Sequence, residues 1–135
     1  MSTFVRATTR LIVPFYDCDP MSIVWHGNYL KYFEQARMAL FHECRLDVPE
    51  IADLGFRIYV ADARVRFTHP CSYGEQIEIS AKTSAIAPLL RIVYSVQNLS
   101  RGRRCARGNT VLAITDRDGQ LLRETPSVLV DRLRE

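Results

Sequence analysis

The stretch Tyr16–Arg37 reads Y-D-C-D-P-M-S-I-V-W-H-G-N-Y-L-K-Y-F-E-Q-A-R. It opens on two carboxylates and a proline, passes through a turn rich in small residues, and enters a segment with helical spacing. Asp19 precedes Pro20, which biases its backbone toward extended or turn conformations. Gly27 and Asn28 are residue types found where a chain turns and a helix starts. From there the apolar positions are Tyr29, Tyr32, Phe33, Ala36 and Leu40, with Lys31, Glu34, Gln35 and Arg37 mostly between them. A helix is expected from about Asn28 to about Cys44, with a carboxylate just upstream of its N-terminus. Backbone N–H groups at such an end, reinforced by the helix dipole, stabilise an oxyanion developing beside that carboxylate.

On the N-terminal side, Val5, Ala7, Leu11, Val13 and Phe15 share one parity, opposite Arg6, Thr8 and Arg10. This is the period of a half-buried strand, with Pro14 marking an edge or bulge near its end. On the C-terminal side, Leu46–Gly55 reads as a loop with a short helix, started by Asp47 or Pro49 and stopped by Gly55. Period two returns at Ile58. Ala61, Ala63, Val65 and Phe67 form one strand, Ile77, Ile79, Ala81 and Ala85 the next, and Leu90, Ile92, Tyr94 and Val96 the third. A further strand covers Cys105–Thr115 after a hairpin at Ser100–Arg101–Gly102. Asp118–Gly119 signals a turn, and Thr125 with Pro126 reads as the N-cap and first position of a short terminal helix. One strand, one long helix and four more strands make an α+β layout.

The 135 residues suit one domain, 1–135, and 47% hydrophobic with 24% charged residues is ordinary for a globular chain. The net charge of +3 is modest and its basic residues scattered, which gives no reason to expect a nucleic-acid partner. The densest cluster is Arg101, Arg103, Arg104 and Arg107. It reads as a solvated hairpin and strand or as a phosphate-facing patch. Cys18, Cys44, Cys71 and Cys105 show no close pairing, so reduced thiols in a cytoplasmic protein are the simplest reading. The first ten residues lack a signal-peptide core, and no run of about 18 apolar residues spans a membrane. No G-x-S-x-G elbow is present, and the three histidines form no metal-ligand spacing.

The run Cys18–Tyr29, C-D-P-M-S-I-V-W-H-G-N-Y, resembles the signature of the 4-hydroxybenzoyl-CoA thioesterase family, which includes the thioesterases of the bacterial Tol–Pal region. The resemblance implies a hotdog fold, a long central helix wrapped by a curved antiparallel sheet of about five strands. It implies hydrolysis of an acyl-CoA thioester, with no cofactor because coenzyme A is part of the substrate. It also implies a homo-oligomer, at least a dimer joined sheet edge to sheet edge, with a tetramer favoured. Where members often carry a polar residue six positions before Cys18, this chain has Ile12.

Carried over residue by residue, the family's catalytic aspartate falls on Asp19, as nucleophile or general base, and its oxyanion donor on the backbone of His26. Asp17 is the competing carboxylate, since two residues apart on an extended strand share a face. Gly27 and Asn28 complete the donor turn, and the His26 imidazole could itself reach the carbonyl or a water. Trp25 is expected to line the acyl pocket or pack under the loop. Asn28 caps the helix or positions water, and Tyr29 is core or substrate-facing. Glu34 is a rival carboxylate on the helix, and Ser22 marks a tight turn. Arg91, Arg101, Arg103 and Arg104 are candidates for the coenzyme A phosphates. Two alternatives stay open: an acyl carrier protein as the bearer of the thioester, and an acyl-binding module without catalysis.

Overall fold

The period-two segments pair into one antiparallel sheet. The computed structural model describes residues 4–134; residues 1–3, part of the start read above as leaderless, lie outside this range. The strands are β1 Arg6–Ile12, β2 Arg57–Phe67, β3 Gln76–Ala85, β4 Leu90–Asn98 and β5 Arg103–Thr115. The helices are α1 Asn28–Glu43, α2 Val48–Leu54 and α3 Ser127–Leu133. The sheet order is β1-β3-β4-β5-β2, so the first two strands in sequence become the two edges. No helix among the described residues is long and apolar enough to cross a membrane.

Alternation sorts the sheet into an inner and an outer face. Ile77, Ile79 and Ala81 of β3, Ile92, Tyr94 and Val96 of β4, and Ala106, Leu112 and Ile114 of β5 are buried. They form one cluster with Tyr29, Tyr32, Phe33, Ala36 and Leu40 of α1. The Phe33 and Tyr94 rings stack at 4.4 Å and 4°. Tyr94 also needs a polar partner, since a buried hydroxyl without one is costly. Its oxygen lies 2.7 Å from Thr110 Oγ1 and accepts from Arg37 at 3.2 Å.

Local chemistry sets the ends of the elements. Asp47 and Glu50 form a capping box on α2, and Gly55, at φ +92°, ends it in the left-handed region. Three boundaries differ from the sequence reading. The first strand stops at Ile12, and Phe15 lies beyond Pro14 in a 3-10 turn, 70% exposed. Thr125 does not cap α3: its hydroxyl donates to the Ile86 carbonyl at 2.6 Å, and Pro126 holds the cap position. The alternation of β2 does not bury one face, because that strand is an edge with a register break between Val60 and Asp62, and α1 covers little of it.

Gly108 of β5 is required by a close approach. A Cβ there would stand 2.3 Å from the Arg64 carbonyl oxygen and 2.5 Å from the Phe33 ring. Backbone and a packed ring have nowhere to go, so Gly108→Ala is expected to cost about 1–3 kcal/mol. Equilibrium urea denaturation checks this; an unchanged midpoint would mean that the core yields freely.

Glu75 ties the β2–β3 loop to the β4–β5 hairpin. Its carboxylate accepts from Ser72 N–H at 2.6 Å, from Asn98 Nδ2 at 3.1 Å, and from the Arg101 guanidinium. Partial burial opposes the charge, but these donors outweigh it and hold the carboxyl below its ordinary 4.5. The stabilisation is therefore full above about pH 4.5 and is lost as pH falls through the lower folded value. Glu75→Gln is expected to reduce the loss of stability as pH falls from about 5 to about 3. Thermal melts of both proteins across that range read it directly.

Candidate active site

After β1, Pro14 ends the pairing and Phe15–Asp17 make a single 3-10 turn. That turn drives Asp17 inward, to 4% exposure. Its carboxylate accepts from Tyr32 Oη at 2.7 Å and from Lys31 Nζ at 2.6 Å. Its carbonyl accepts from Trp25 N–H at 3.0 Å and from Asn28 Nδ2 at 2.8 Å. One residue thus fastens the exit of β1 to the first turns of α1. Burial, followed by the Asp17 contact, raises the Tyr32 hydroxyl well above the ordinary tyrosine value.

Two residues on, Asp19 has a different environment. It opens a tight turn in which Asp19 N–H donates to the Ile23 carbonyl at 2.8 Å and Ser22 N–H to the Asp19 carbonyl at 2.9 Å. One carboxylate oxygen accepts from Met21 N–H at 2.8 Å. Ser22 sits at φ +65°, a left-handed conformation that costs a serine about 1–2 kcal/mol. No charged partner touches Asp19 within 4 Å among the described residues. Asp17 and Asp19 do not share an environment: Asp17 closes the 3-10 turn and is buried, while Asp19 opens the next turn and is partly exposed.

The chain then turns at Trp25–Gly27 into α1. Gly27, not Asn28, occupies the cap position, and it has ordinary helical angles. It is a glycine for another reason: a Cβ there would stand 2.3–2.8 Å from the Trp25 ring, which folds over it. Asn28 is the first helical residue, and its amide is spent on the Asp17 carbonyl. The Asn28 N–H closes on the Trp25 carbonyl at 2.9 Å. The N–H groups of His26 and Gly27 have no backbone acceptor among the described residues. Two donors therefore stand free at the start of α1.

A cavity of about 320 Å³ lies beside these donors, lined by Ile23, Val24, His26, Tyr29 and Phe67–Pro70. Its walls are aromatic. Phe67 meets Tyr29 edge-on at 5.1 Å and His26 at 6.4 Å, and the Trp25 and His26 rings lie 5.0 Å apart. Tyr29 is 3% exposed, and burial, then its contact with Cys71, raises its hydroxyl. Trp25 is half exposed, not packed under the loop. Asp19 does not line this cavity, although its turn ends on Ile23, which does.

His69 was not expected here. It lines the cavity opposite His26, with Nδ1 3.2 Å from the Arg104 carbonyl oxygen. Its signal was its place just past β2, before Pro70, which acquires meaning only once β2 is known to end beside α1. Glu34 is exposed on α1 without a salt-bridge partner among the described residues. His42 lies 3.7 Å from Asp47, outside the site.

The four arginines separate. Arg101 is engaged by Glu75 and Arg91 by Asn109 Oδ1 at 2.9 Å. Arg103 is half buried with Nε unpartnered among the described residues, and Arg104 lines a larger groove on the other face of the sheet. Among the described residues no three His, Cys, Asp or Glu side chains gather as metal ligands.

Tyr32→Phe removes one donor from the buried Asp17 carboxylate. The expected cost is about 1–3 kcal/mol, measured as a shift of the denaturation midpoint. No shift would mean that Lys31 and solvent satisfy Asp17 alone.

A family model described as the thioesterase-like superfamily matches residues 13–133. The acyl-CoA thioesterase YbgC of Helicobacter pylori is 30% identical over 95 residues, covering 67% of this chain and 69% of that protein. Among solved structures, a 1,4-dihydroxy-2-naphthoyl-CoA thioesterase from Synechocystis superposes with TM-score 0.84 at 14% identity, over 96% of both chains. A 4-hydroxybenzoyl-CoA thioesterase mutant, complexed with 4-hydroxybenzoyl-CoA, superposes with TM-score 0.84 at 19% identity, over 95% of this chain and 98% of the other. These likenesses establish the hotdog fold.

Proposed function

The chain belongs to the thioesterase-like superfamily, which makes it a thioester hydrolase, and from that premise we propose that it cleaves an acyl-CoA thioester to the free acid and coenzyme A. The observation that carries the reading is the turn itself. Asp19 stands on an exposed, tightly bonded turn, and the N–H groups of His26 and Gly27 stand free at the start of α1. A carboxylate and two preorganised donors are the parts that thioester hydrolysis needs. The thioester carbonyl oxygen takes the donors. Asp19 then either attacks the carbonyl carbon, expelling the thiolate and leaving an anhydride for water to open, or draws a proton from the attacking water. No metal or prosthetic group enters this route.

The acyl group proposed is aromatic or of short to medium chain. Trp25 and Phe67 are each about half exposed, at 51% and 50%, which offers rings for such a group to lie against. His26 and His69 face the cavity, where either could hold a water or the carbonyl.

The site is proposed to be completed by a second copy. β2 pairs only with β5, so its outer edge carries unpaired backbone groups over eleven residues. Such an edge invites pairing with its own copy. A dimer joined there would bring the partner against the Phe67 end of the cavity. Two dimers would make the tetramer. Arg103, whose Nε has no partner among the described residues, could then meet the nucleotide phosphates, and the protein would work in the cytoplasm.

The test is thiol release from aromatic and aliphatic acyl-CoA thioesters by the wild type and by Asp19→Asn. The expected result is hydrolysis by the wild type and turnover at least about 100-fold lower in the variant. Full activity in Asp19→Asn would remove that carboxylate from the chemistry. A wild type silent on the whole panel would contradict the acyl-CoA reading and favour a module that binds without catalysis.

A further inference from the structure

The outer face of the sheet, away from α1, holds a groove of about 920 Å³. Its lining is strongly basic: Arg6 of β1, Lys82 of β3, Arg66 of β2, and Arg104 and Arg107 of β5. None of these five has a carboxylate within 4 Å among the described residues. Two outer-face acids nearby are already committed, Glu78 to Arg10 at 2.7 Å and Asp62 to Arg64 at 3.2 Å. The floor mixes small polar side chains, Thr8, Ser80 and Ser95, with apolar ones such as Val93, and the Ser95 hydroxyl is buried without a partner among the described residues.

We propose that this face docks an acidic helix of a carrier protein that delivers the thioester to the site. The proposal rests on the thioester-hydrolase reading. Shape and charge choose the occupant. Arg6 and Lys82 stand opposite each other across β1 and β3, while Arg66 and Arg107 stand opposite each other across β2 and β5. From Arg6 to Arg66 the face crosses four inter-strand steps, roughly 19 Å at about 4.8 Å each. The cations therefore sit in two groups at the ends of a trough and do not converge on a point, as one phosphate would ask. A helix of about 13 residues covers that length, and acids along one of its faces would meet both groups. A second copy of this chain is the wrong partner, because two such faces would oppose like charges. The trough also meets the cavity: the Arg104 carbonyl lies 3.2 Å from His69 Nδ1, and His69 lines the cavity wall. An arm from a helix docked here would pass over that strand end into the site.

The test compares one acyl group on two carriers, coenzyme A and a holo acyl carrier protein, using the wild type and the double variant Arg6→Glu, Lys82→Glu, which leaves β2 untouched. The expected result is a KM for the carrier-bound thioester raised about tenfold or more, with coenzyme A thioester turnover and KM unchanged. Unchanged coenzyme A turnover also reports that the variant folds. If the charge reversal unfolds the sheet, the double alanine variant serves, with the same direction expected. A KM that rises equally for both substrates would assign the trough to nucleotide phosphates and overturn the proposal. A KM that moves for neither would overturn it as well. If the wild type hydrolyses neither thioester, the hydrolase reading fails separately. The docking is then read from binding of the holo carrier protein alone: loss in the variant supports it, and equal or absent binding in both overturns it.

Discussion

The buried carboxylate of Asp17 is the constraint on which the site depends. It lies at the meeting of three segments that have no other reason to keep a fixed relation: the end of β1, the Trp25–Asn28 turn, and the first turns of α1. Tyr32 and Lys31 hold its oxygens from the helix, while Trp25 and Asn28 hold its carbonyl from the turn. A buried carboxylate left without donors would be costly, so these contacts form together or not at all. The exposed Asp19 turn is then a short excursion between two fixed points. That rigidity lets the partly exposed Asp19 carboxylate, bonded by Met21 N–H, hold its direction.

A second constraint is the open edge. Sheet order places β2 outermost, and little of it is covered by α1. Its exposed Tyr59, Val60 and Phe67, and the unpaired side of its backbone, are a liability for a single copy and a resource for two. The face of the same sheet is the opposite case. Its acids Glu78 and Asp62 are paired, while Arg6, Lys82, Arg66, Arg104 and Arg107 have no carboxylate within 4 Å among the described residues.

Most of the fold was legible because its signals are local. Alternation marked β3, β4 and β5, and the Gly27–Asn28 pair marked the start of α1. Asp47, the first of two candidate starts, and Gly55 marked the ends of α2. What was not legible came from long-range contacts. Nothing near Thr125 says that its hydroxyl will reach Ile86, and nothing near Asn28 says that its amide will turn back to Asp17. The D-x-D spacing suggested two carboxylates on one face, and only the 3-10 turn at Phe15–Asp17 separates them. His69 entered the cavity through the pairing of β2, and the trough appeared only when five strands had been laid side by side. The arginines named from their clustering were dispersed by it, since neighbours along a strand point to opposite faces.

The division of labour between the two aspartates is the central claim, and Asp17→Asn tests it most directly. Denaturation midpoint and turnover per folded molecule are measured on the same sample. The account predicts a stability loss of about 1–3 kcal/mol, with the folded fraction still turning over substrate. A variant as stable as the wild type but devoid of turnover would contradict it, and would make Asp17 the carboxylate that reacts.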